Sequence, residues 1–162
     1  MDDERTDLEL SDIDKDEVIR YLGYGNSRPD ENVMKLLDEC EKQVLEYARA
    51  RFVYKVFDID KESGQDTIIV KNTNIKLPGK SIRKHLKDCD KAVFMAVTIS
   101  EGIDRLIRIA KVKDIAQAVV VDSMASAAVE QACDRAEQVI KKEYPDMYQT
   151  FRFGLGYGDL PI

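Results

Sequence analysis

Apolar residues recur every three or four positions in several stretches of the chain, and between them fall short runs of another pattern. Val33, Leu36, Leu37, Cys40, Val44, Leu45 and Ala48 form one stripe at helical spacing, opened by Pro29 and Asp30, and that combination predicts a long helix. Before it, Asp14 is placed to cap a short helix carrying Val18, Ile19 and Leu22, stopped by Gly23-Tyr24-Gly25-Asn26. Residues 51–59 are aromatic and β-branched, which reads as a strand. Ser63-Gly64 marks a turn, residues 67–71 and 74–77 read as short strands, and Pro78-Gly79 closes them before a short helix over 81–86. The run 91–99 is apolar throughout and is expected to be a buried central strand. Ile103, Leu106, Ile107 and Ala110 predict a helix over 102–111, and Asp114 opens the longest one, reaching about residue 142. The middle of that helix, 123–128, is almost all small residues, which lets a neighbouring backbone come close. Pro145 ends it, and from Gln149 the chain is extended and glycine-rich.

Strands and helices do not alternate regularly, so the fold class is α+β: an antiparallel or mixed central sheet covered by long helices. The length of 162 residues suits a single domain, 1–162. Its first dozen residues read as a flexible arm or a short edge strand.

Composition narrows the setting. The chain is 44% hydrophobic and 35% charged, with a formal net charge of −6, so phosphate backbones and anionic membrane surfaces are disfavoured as partners. The acidic N-terminus has no apolar core and is not a signal peptide, and the longest apolar runs are too short to cross a bilayer of ~30 Å. Cys40, Cys89 and Cys133 are far apart, no Cys-x-x-Cys pair exists, and His85 is the single histidine. A zinc site is poorly supplied and a disulfide framework is not expected, which fits a cytoplasmic setting. His85 reads as a surface helix residue, and no nucleophile–histidine set can be built around it.

The segment Arg152-Phe153-Gly154-Leu155-Gly156-Tyr157-Gly158-Asp159 carries the most chemistry. Its glycines permit positive φ and close backbone approach to a ligand, while Arg152 offers a planar fork for a carboxylate. It is no dinucleotide fingerprint, because no helix follows. A plain β-turn with a bulge accounts for the same glycines. Arg152 with Asp146 and Glu143 can bind the zwitterionic end of an amino acid, or can be solvated helix-end charge. Glu130 shares a helix face with Ser126 and Cys133 and either points into a cleft or faces water. Met95, Thr98 and Ser100 go with the apolar strand; a hydroxyl at its end can contact a ligand or cap the next helix, and capping is the expected role.

Read together, residues 148–157, Tyr-Gln-Thr-Phe-Arg-Phe-Gly-Leu-Gly-Tyr, resemble the S-adenosylmethionine-binding motif of the activation domain of cobalamin-dependent methionine synthase. That motif is Arg-x-x-x-Gly-Tyr with Tyr-Gln upstream. Residues 152–161 are closer still to the short stand-alone relatives of that domain, Arg-Phe-x-x-Gly-Tyr-Gly-Asp-Leu-Pro. The run 92–99 and the helix 122–130 also resemble their counterparts there. The resemblance implies an activation-domain-like fold in which Arg152 holds the ligand's carboxylate, the backbone at Gly154 and Gly156 lies against it, and Tyr157 closes the pocket. Asp146 stands where the family places a glutamate six residues before the arginine, and Glu130 aligns with another acidic position. The implied function is reactivation in trans of a methionine synthase in methionine biosynthesis. The chain would present the methyl group of S-adenosylmethionine to reduced cobalamin carried by the synthase or its cobalamin-binding module, with a flavodoxin-like electron donor. It would be a component of a methyltransferase system, without a catalytic acid or base of its own. A non-catalytic docking module for a corrinoid protein, or service to another corrinoid methyltransferase, is the alternative. The family domain runs past this motif, so its later tyrosine and part of its sheet are expected to be missing.

Overall fold

The computed structural model describes residues 6–62 and 66–162. In chain order the elements are β1 (Thr6–Leu8), α1 (Lys15–Tyr21), α2 (Glu31–Tyr47), β2 (Ala50–Asp60), β3 (Thr67–Val70), β4 (Lys76–Pro78), α3 (Lys80–His85), β5 (Lys91–Thr98), α4 (Glu101–Lys113) and α5 (Ile115–Glu143). This is an α+β chain. Antiparallel pairing joins β1 to β2, β2 to β3 and β3 to β4, and β5 also pairs with β2. The expected turn at Ser63-Gly64 lies outside the described residues. By internal contacts the chain forms two compact units, 1–53 with 96–145 and 54–95 with 146–162; β2 and β5 each run from one into the other.

The first unit is built on α5. Ala118, Ala125, Ala127, Ala128, Ala132 and Ala136 are buried along it, with Val121 and Met124 fully enclosed. Alanine stubs let α1, α2 and α4 pack close around one rod, and the larger side chains of those helices fill the remaining space: Val18, Leu37, Cys40 and Val44 are completely buried. Each such aliphatic side chain contributes about 1.5–3 kcal/mol by leaving water. Burial also pushes the Cys40 thiol up to about 11, so it stays protonated and acts as a small apolar group.

Aspartates start three of these helices. The side chains of Asp14, Asp30 and Asp114 each accept from two backbone amides of the first turn of α1, α2 and α5, satisfying donors that the helix itself leaves open. α4 begins differently. Ser100 has φ 88° and makes no side-chain cap; its hydroxyl donates to the Tyr47 carbonyl at 3.1 Å. The capping role expected of it is thus replaced by a tie between α4 and the end of α2. A Cβ on Gly102 would lie 3.1 Å from that same carbonyl oxygen, which explains a glycine in the first turn.

Of the two readings of the first dozen residues, the edge strand describes 6–8: Thr6, Asp7 and Leu8 pair with Phe52, Arg51 and Ala50. The chain after it is also tied down. Ile13 is 4% exposed, its amide donates to Glu41 at 3.1 Å, and Gln131 bridges the Asp14 amide and the Asp12 carbonyl.

The second unit has a small core of Ile59, Ile68, Ile82, Leu86, Ala92 and Leu160, with Leu77, Phe94 and Phe153 against it. The three-residue β4 and the six-residue α3 pack on β3. The run 91–99 is not the buried central strand expected. β5 alternates, with Ala92 buried but Lys91, Val93, Ala96 and Thr98 exposed, and β2, which pairs with β1, β3 and β5, holds the central place. The covered side changes along the run: Ala92 and Phe94 pack on the small second core, while Val97 and Ile99 pack on the first, so its apolar character reflects β-propensity more than burial throughout. Among the described residues no helix is long and apolar enough to cross a membrane.

Candidate functional site

Asp146, Arg152, Gly154, Gly156 and Tyr157 belong to the second unit, in the segment 146–162, which contains neither helix nor strand. It is nonetheless fixed. Leu160 is 5% exposed in the small core. Asp159 stands over the start of α3, its two carboxylate oxygens accepting from the amides of Lys80 at 2.7 Å and Ser81 at 2.9 Å. Gly79, the residue before α3, has no side chain to do this, so the cap comes from the far end of the sequence. The amides of Ser81 and Lys80 hold the Asp159 carboxyl below the usual carboxylate value, because hydrogen bonds to the charged form favour it.

Between Gly154 and Leu160 the backbone makes two successive turns. The Tyr157 amide donates to Gly154 at 3.1 Å, the Leu160 amide to Tyr157 at 3.0 Å, and the Gly156 amide to Leu160 at 3.0 Å. Gly156 and Gly158 have φ 84° and 57°, a region L side chains avoid. A Cβ at Gly158 would also lie 2.6 Å from Ser81 Cβ. The missing side chain at Gly154 has another use: a Cβ there would come within 3.2–3.5 Å of the Tyr157 ring. At each of these glycines a side chain would meet the chain's own atoms: Tyr157 at Gly154, Ile162 at Gly156 and Ser81 at Gly158.

Tyr157 is one end of a row of rings. Its ring lies 5.9 Å from Phe153 at 64°, Phe153 lies 5.1 Å from His85, and His85 meets Phe151 at 4.5 Å and 64°. His85 Nε2 is also 3.2 Å from Thr150 Oγ1. Arg152 is half-buried within this stretch. The outer side is apolar and open: Tyr148 is 96% exposed, Phe151 76%, Leu155 66% and Tyr157 58%.

Arg152, Gly154, Gly156 and Tyr157 thus lie within six residues of one fastened loop, with Asp146 exposed at the turn where the same segment begins. Glu130 belongs to the first unit. It is exposed on α5, and its charge joins that of Glu17 in keeping the Tyr21 hydroxyl of α1 above the usual phenol range, behind the larger effect of burial. Glu143, at the end of α5, also belongs to the first unit. Sequence reasoning gave no role at this loop to His85, read as a surface helix residue, or to Asp159, named only as the end of the glycine-rich segment. Neither has a local signal, since their partners lie 65 to 79 positions away.

Chemically, the segment carries the guanidinium of Arg152, the exposed carboxylate of Asp146 six residues earlier in the chain, and exposed aromatic side chains, residue types that suit a carboxylate, an ammonium group and a cation or flat heterocycle. No protein-family model matches this sequence, and no curated protein is found that is similar to it.

Proposed function

We propose that the C-terminal loop binds S-adenosylmethionine through Arg152 and that the protein serves, in the cytoplasm, to reactivate a cobalamin-dependent methionine synthase in trans, as an activation-domain-like component. The observation that carries this reading is the resemblance of residues 148–161 to that domain's ligand motif, in a segment whose Arg152 is half-buried and flanked in sequence by the ring-packed Phe151 and Phe153. The ligand's three charged groups correspond to the residue types present. Arg152 pairs with its carboxylate, Asp146 is an acidic neighbour for its ammonium, and the exposed face of Tyr157 suits its sulfonium. S-adenosylmethionine held by Arg152 would supply a sulfonium methyl group for the partner's cobalamin, kept reduced by a flavodoxin-like donor, and would be left as S-adenosylhomocysteine. This chain's contribution is binding and orientation.

A docking role on a corrinoid protein without ligand binding is the second reading. The exposed apolar side chains of Met147, Tyr148, Phe151, Leu155, Tyr157 and Ile162, all from one segment, favour it, because clustered apolar exposure marks contact surfaces.

Titration calorimetry with S-adenosylmethionine separates the two. Saturable binding to the wild type, weakened about 10- to 100-fold in Arg152→Ala, supports the first reading. No heat from wild type, together with co-elution with a cobalamin-binding module that Tyr148→Ser/Phe151→Ser abolishes, replaces it by the second.

A further inference from the structure

His85 is the chain's single histidine and plays no part in the proposed ligand contacts, yet three of its neighbours bracket Arg152. Thr150 hydrogen-bonds its Nε2, and Phe151 and Phe153 pack on its ring at 4.5 and 5.1 Å. His85 closes the last turn of α3, and the opposite end of the same six-residue helix receives the Asp159 carboxylate. The loop from Arg152 to Gly158 is therefore fastened at both ends to one short helix, by a ring cluster on one side and an anionic cap on the other.

We propose that His85 is a positioning residue for the Arg152 site: by clamping Phe151 and Phe153 it holds the guanidinium ready, so that a carboxylate ligand does not have to order the loop. A group ordered beforehand loses less freedom on binding. The inference rests on the S-adenosylmethionine reading above. Of the two interactions, the rings carry the clamp, since a solvent-exposed hydrogen bond contributes little net against water.

The test compares wild type with His85→Ala, His85→Phe and His85→Gln, using hydrogen exchange over residues 149–158 and calorimetry with S-adenosylmethionine. Expected is about tenfold faster exchange and about tenfold weaker binding for Ala. Phe is expected to retain both to within about threefold, and Gln to lie close to Ala. The order of rescue distinguishes positioning from a merely structural role. Gln is a better helix former than Phe, so if His85 only stabilised α3, Gln would rescue better. Unchanged exchange in His85→Ala, or better rescue by Gln, overturns the clamp. Faster exchange with unchanged affinity overturns the positioning role. If wild type takes up no S-adenosylmethionine, the functional reading fails and the positioning of a ligand group with it, while an exchange order of Phe above Gln above Ala still upholds the clamp.

Discussion

α1, α2 and α5 in the first unit each begin on an aspartate immediately before the helix. α3 in the second unit begins on an aspartate 79 residues further along the chain. The two units differ in the same way throughout. In the first, a 29-residue helix with a line of alanines organises a core whose apolar stripes are set by helical spacing. In the second, six buried side chains from β2, β3, β5, α3 and the C-terminal segment, with the chain just after α3, make the core, and contacts between distant parts of the chain fix the loop carrying Arg152. Charge divides too. The first unit has fifteen lysines and arginines against twenty-three acids, and the second has ten against eight. The helical unit carries −8 and the other +2, so the electrostatic argument against anionic partners applies to the first and not to the unit that carries the loop.

The contrast can be broken most strongly at the core of the first unit. Leu37→Ala, at a completely buried position, is expected to lose about 2–5 kcal/mol, measured by urea unfolding; a loss below ~1 kcal/mol would mean that α2 is not packed as described. Next comes the glycine loop. Gly158→Ala puts a side chain at φ 57° against Ser81 and is expected to cost about 2 kcal/mol, with faster exchange across 150–160. Gly154→Ala faces only the movable Tyr157 ring and should cost less than ~1 kcal/mol. Equal effects of the two would contradict the assignment of strain to Gly158. Below the Gly158 effect stands the local cap: Asp114→Ala removes two hydrogen bonds at the start of α5 and should lower stability by about 1 kcal/mol, visible as a shift in the unfolding midpoint.

The smallest effect is that of pH on the distant cap. The Asp159 carboxyl is lower in the folded chain than its ordinary value of 3.8. Its stabilising contribution is therefore complete above that value and disappears as pH falls through the lower, folded one. Exchange near Ser81 and Leu160 should rise only below about pH 4, and Asp159→Asn should remove that acid dependence. On the first unit Lys15 works in the opposite direction. Hydrogen bonds that its ammonium donates to Asp38 and Glu41 raise it above its ordinary value of 10.5, so its contribution is complete below that value and is lost as pH rises through the higher one. Acid should therefore loosen the loop while leaving the Lys15 charge in place.

The stripe from Val33 to Ala48, the aspartate caps at 14, 30 and 114, and the turn-forming glycines at 156 and 158 were all legible in the chain, because periodicity and capping act between residues a few positions apart. The motif around Arg152 was legible too, as a pattern of residue types. Tertiary structure alone decided that β5 is half-exposed beside a central β2, that Ser100 ties down Tyr47 instead of capping α4, that the Tyr157 ring lies against Gly154, and that His85 and Asp159 fasten the loop. The ties made by Ser100, His85 and Asp159 depend on groups that meet only after chain segments 53 to 79 residues apart have closed on one another. The entropy of that closure is recovered from the whole packed unit, so no short stretch of sequence carries its signature.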